Sequence, residues 1–70
     1  MQNQIHGGDI IQIDHVEYPK RLRSKSEDEL RYIAKDAAEA AEAMPDSQKT
    51  GYWLDEVNYA LMELKRRETR

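Results

Sequence analysis

A chain of 70 residues with 39% hydrophobic and 36% charged residues, no cysteine and no phenylalanine holds one small domain with a thin core and no disulfide to reinforce it. Its net charge of −3 is split into blocks, which excludes bulk attraction to phosphate and confines any nucleic-acid contact to local patches. No apolar run reaches the ~18 residues of a membrane span and a cysteine-free chain suits a reducing compartment, so a cytoplasmic location is expected and no membrane partner.

The first 18 residues read as an arm. MQNQIHGGD is polar with paired glycines and is expected to be flexible. From residue 10 to 16, Ile10, Ile11, Ile13 and Val16 alternate in part with polar residues, which predicts a short β-strand ended by Pro19. A lone strand leaves its backbone N–H and C=O groups unpaired, so Ile11 and Ile13 become candidate interface residues.

Residues 19 to 26 form a basic linker and helix cap: Lys20, Arg21, Arg23 and Lys25 carry charge of one sign only. Ser26 with Glu29 matches the pattern of a serine followed three residues later by a glutamate, and Glu27 and Asp28 add negative charge at the positive end of a helix dipole. The fold class expected is mainly α, an antiparallel two-helix hairpin spanning about 27–44 and 48–67, with a tail over 68–70. On a helical wheel Leu30, Ile33, Ala34, Ala37, Ala38, Ala41 and Met44 share the inner face of the first helix. Trp53, Val57, Ala60, Leu61 and Leu64 share that of the second, so large side chains oppose small ones. Pro45, Asp46 and Ser47 break the chain between them. Gly51 marks either a position before the helix proper or a close backbone approach.

Catalytic patterns are absent: no cysteine nucleophile, glycine-rich phosphate loop or HExxH occurs. His6, His15, Asp9 and Asp14 supply metal-ligating chemistry, yet the glycines between them leave the set without a rigid frame, and they read as solvated side chains. No enzyme, cofactor, metal or small-molecule substrate is expected. Tyr32, Tyr52, Tyr59 and Met62 fall on the outer faces of the two helices, where amphipathic aromatics favour a protein partner or self-association. Arg21, Arg23, Arg66 and Arg67 converge at one pole of an antiparallel pair and form candidate phosphate contacts.

The stretch from Arg31 to Arg67 contains KDAAEAA, the acidic Pro-Asp turn, the step GYW and the terminal run MELKRR. It resembles short reading frames of bacteriophage genomes, small accessory proteins that carry no activity transferable residue by residue. The resemblance implies a phage-encoded protein in the host cytoplasm that binds and inhibits or modulates a host protein. The alternatives are a minor structural or assembly component of a virion, and a nucleic-acid-binding protein using the basic linker and tail.

Overall fold

In the computed structural model, which describes residues 12 to 69, Asp14 opens a helix where the sequence predicted a strand. Its carboxylate accepts from the N–H groups of Val16 and Glu17, both at 2.9 Å, and its carbonyl accepts from Tyr18 at 2.9 Å. Two otherwise orphaned N–H groups are thereby satisfied, as at an N-cap. The helix α1 (Glu17–Leu22) follows. Pro19 lies in its first turn, where a missing N–H costs no hydrogen bond, so the residue expected to stop a strand helps to start a helix. The expected strand over 10–16 is therefore not formed at residues 12 to 16, which run from irregular backbone into a turn. Ile10, Ile11, the expected flexible arm, His6, Asp9 and Arg70 lie outside the described residues.

The longer helices are α2 (Glu27–Ala43) and α3 (Thr50–Glu68). Ser26 caps α2 in both directions: its hydroxyl accepts from Glu29 N–H at 3.0 Å while the Glu29 carboxylate accepts from Ser26 N–H at 2.8 Å. That reciprocal bond holds the Glu29 carboxyl below its ordinary range. Replacing Ser26 with alanine should lower stability by about 1 kcal/mol, read as a lower urea midpoint at unchanged slope. At the other end the Thr50 hydroxyl donates to the carbonyls of Met44 (2.9 Å) and Pro45 (3.2 Å), so the first residue of α3 satisfies carbonyls of the C-cap of α2 and of the turn that follows it. Gly51, the second residue of α3, has open space where a Cβ would stand, so no close backbone approach requires it.

The protein is mainly helical, with three helices and no strand among the described residues. α3 packs along α2 and also against α1. Leu22, Leu30, Ala34 and Ala60 form the buried cluster, with Tyr18, Ile33, Tyr59 and Leu64 packed around it. The rest of the buried apolar set is Ile13, Ala37 and Ala41, and only Leu22 and Leu30 are large and fully enclosed. The sequence placed α3 with Leu61 inward. Instead Leu61 is 51% exposed and Glu63 is buried, because α1 adds a second wall and α3 turns its Glu56, Tyr59 and Glu63 side towards it.

No helix among the described residues is long and apolar enough to cross a membrane.

Candidate functional site

Glu63 and Arg67 lock α1 to α3. The Glu63 carboxylate accepts two bonds from Arg66 (3.0 and 2.6 Å) and one from Arg67 (2.9 Å), spacings of three and four residues that one helix face supplies. The Arg66 bonds, followed by the one from Arg67, hold the Glu63 carboxyl down to about 2 although its burial works the other way. Arg67 then reaches across to the carbonyls of Lys25 (2.7 Å), Leu22 (3.3 Å) and Arg23 (3.3 Å), at the end of α1 and in the link beyond it. A cation donating to the last carbonyls of a helix suits the negative end of its dipole.

A second contact ties the front of α1 to the middle of α3. The Tyr18 hydroxyl donates to Glu56 at 3.0 Å, and its ring lies 6.1 Å from that of Tyr59. Burial raises the Tyr18 phenol well above its ordinary value, and the neighbouring Glu56 carboxylate adds to the effect. His15 Nδ1 and the Tyr59 hydroxyl are 2.6 Å apart with the rings 5.8 Å apart. His15 is thus engaged with an aromatic and Asp14 with the start of α1, and no group of three potential metal ligands occurs among the described residues.

These contacts reassign several of the expected interface residues. Ile13 is buried, 4% exposed, and so belongs to the core of the protein and not to an open strand edge. Tyr59 is half-buried against Tyr18 and the core cluster, since α1 covers the flank that a two-helix arrangement would leave open. Tyr52 is also half-buried, with the Lys49 ammonium 6.0 Å from its ring and 5.6 Å from that of Trp53. Tyr32 and Met62 do stand out, at 67% and 62% exposure. Ile11 lies outside the described residues.

The four arginines divide as well. Arg67 is committed to Glu63 and three carbonyls, which removes it from the expected phosphate set. Arg66 holds Glu63 with one edge while its side chain remains half exposed, and Arg21 and Arg23 are exposed. Sequence reasoning missed the Glu63 cluster, although Glu63, Arg66 and Arg67 carry a legible spacing; it assigned the two bases to phosphate contacts.

Between α1 and α3 runs an open groove of ≈ 480 Å³ lined by Pro19, Arg23, Tyr59, Met62, Glu63 and Arg66. On α3 these residues recur at the spacing of one helix stripe, and Arg23, the C-cap of α1, stands one turn beyond Pro19. Its apolar surface comes from Pro19, the Tyr59 ring and Met62. Because Glu63 is already matched by two arginines, the groove carries an excess of positive charge. Leu54 and Leu61 are also exposed on α3, at 52% and 51%, outside the groove lining. An acidic, amphipathic ligand would fit the groove, with apolar groups on the floor and carboxylates at Arg23 and Arg66.

No protein-family model, curated protein or solved structure matches the chain.

Proposed function

We propose that this chain is a small non-enzymatic protein-interaction module. In this reading the α2–α3 hairpin is the frame, and the groove that α1 completes on α3 is the binding surface. The observation that carries the reading is the groove itself: exposed Met62 shares it with half-buried Tyr59 and with Arg23 and Arg66, a combination of apolar anchor and charged groups that protein partners use. The thin core adds support. Four of its seven buried apolar residues are alanine, so a partner would contribute burial that the chain supplies sparingly by itself.

The resemblance of residues 31 to 67 to short phage reading frames supports a more specific version, an accessory protein that binds a host protein and inhibits or modulates it. The nucleic-acid alternative loses ground, since Arg67 and one edge of Arg66 are occupied within the fold. Capture from bacterial lysate tests the module. Wild type is expected to retain a defined protein that the variant Arg23→Glu with Met62→Glu does not. Equal retention by the two, with both helical by circular dichroism, would sink the groove as the binding surface.

A further inference from the structure

We propose that the groove between α1 and α3 receives the outer face of α2 from a second copy of this chain. The inference rests on the groove reading above and names its occupant. Tyr32 is the most exposed of the large apolar side chains described, at 67%. It projects from the face of α2 opposite Leu30, Ala34, Ala37 and Ala41. Asp28 and Asp36 lie one helical turn to either side of it. Of the other acids of α2, Glu27 is matched to Arg31 and Glu39 to Lys35, each at 3.5 Å, and Glu29 is engaged in the cap with Ser26. Asp28 and Asp36 have no base within ion-pair distance among the described residues.

The groove shows the converse pattern. Arg23 has no acid within ion-pair distance among the described residues, and Arg66 shares one carboxylate with Arg67. The chain thus carries an aromatic knob between two unmatched acids on one helix. Between α1 and α3 it carries an apolar groove with two arginines, Arg23 and Arg66, one turn beyond the floor of Pro19, Tyr59 and Met62. A tyrosine seated on that floor would bring a neighbouring carboxylate within reach of bidentate arginine pairing. Tyrosine is well suited to such an anchor, because its large amphipathic ring loses few rotatable bonds on burial. Each copy carries both a knob and a groove, so the contact closes as a two-fold pair where the exchange is reciprocal and runs head to tail where it is not.

The test is sedimentation of the full chain as a function of concentration and salt. Wild type should grow in mass with concentration, and the growth should weaken as added salt screens the arginine–carboxylate pairs. Tyr32→Ala should weaken association about tenfold or more. Two charge-reversed chains give the sharper result. Arg23→Glu cancels the groove's excess positive charge and puts a carboxylate in place of the arginine that has no acid partner, while Asp28→Lys with Asp36→Lys makes the knob basic. Each alone should remain monomeric, because its groove and knob are then no longer complementary. An equimolar mixture should associate again, since each reversed surface now meets its complement on the other chain. A mixture that stays monomeric while both variants are helical would overturn the proposal, as would association indifferent to Tyr32→Ala. Tyr32 lies outside the groove, so a strictly monomeric wild type that still captures a host protein, or still shifts nucleic acid in a gel, would overturn the second-copy occupant alone. Loss of that capture with Arg23→Glu and Met62→Glu would then keep the groove reading in place.

Discussion

Leu30→Ala is expected to cost about 2–5 kcal/mol of stability, the range for truncating a fully enclosed leucine. Leu30 is 0% exposed and sits at the centre of the cluster with Leu22, Ala34 and Ala60. Its neighbours include two alanines, whose short side chains cannot lean in to fill a void, which favours the upper part of the range. A domain of this size has a total stability of about 3.5–10 kcal/mol, so the loss is a large share of the whole and the variant should melt at a clearly lower temperature. Thermal melting followed by helical circular dichroism measures this, and Leu61→Ala is the control. The wheel drawn from sequence gives Leu61 the same inward standing as Val57 and Leu64, whereas the structure leaves it half exposed. Its truncation should change stability by no more than about 0.5 kcal/mol at a concentration where the chain is monomeric. Equal losses at the two positions would show that α3 is rotated as the sequence alone suggests, and would remove the α1 wall from the description.

Arg67→Ala should rank next, at about 1.5–3 kcal/mol, because one guanidinium joins the Glu63 carboxylate to three carbonyls around the end of α1. Lysine should not restore it, since a single ammonium cannot span an acid on one side and separate carbonyls on the other. The same cluster predicts a response to acid. The Glu63 carboxyl is held at about 2 in the folded chain against 4.5 for an unperturbed side chain. Its ionised form therefore favours folding fully above pH 4.5, and that contribution is lost as pH falls towards 2. Urea midpoints measured from pH 6 down to 2 should fall across this window for wild type and fall less steeply for Glu63→Gln. Some slope will persist in the variant, because the capping carboxylates of Asp14 and Glu29 are also held below their ordinary values. A variant curve parallel to that of wild type would show that Glu63 is not the group that responds.

Much of the helical framework was legible where its signals are local. Ser26 with Glu29 specified a cap that forms as written, since both bonds lie within four residues of chain. The alanine-rich run that follows favours helix with or without a tertiary partner. The start of α1 carried a signal of the same kind, Asp14 followed three residues later by Glu17 with Pro19 close behind. The β-branched residues around it favoured the opposite reading. Burial decides between them: Ile13 goes inward while Val16 stays 63% exposed, an outcome that suits a chain entering a helix.

The candidate site was less legible, because it depends on α1 lying against α3. Without α1 there is no groove, Tyr59 is an outer residue and Glu63 has no reason to be buried. A helical wheel weighs only the apolar pattern of one helix. It has no means of showing that a glutamate becomes an inward residue once two arginines on the next turn neutralise it. Tyr32 and Met62 were recognised as outward because their position depends on their own helix alone. Arg67 was misread as a free cation because its partners are carbonyls more than 40 residues away in sequence.

The Arg67 clamp also governs where the chain can be cut. Two of the carbonyls it holds, those of Arg23 and Lys25, belong to the bonds that a protease selecting basic residues would attack. Such an enzyme must draw the scissile carbonyl into its own oxyanion hole, where backbone donors stabilise the developing charge. A carbonyl already bound to a guanidinium is withheld from that exchange until the last turn of α3 lets go. Although the link between α1 and α2 is exposed and rich in arginine and lysine, its rate of nicking is therefore set by how often the far end of the molecule opens.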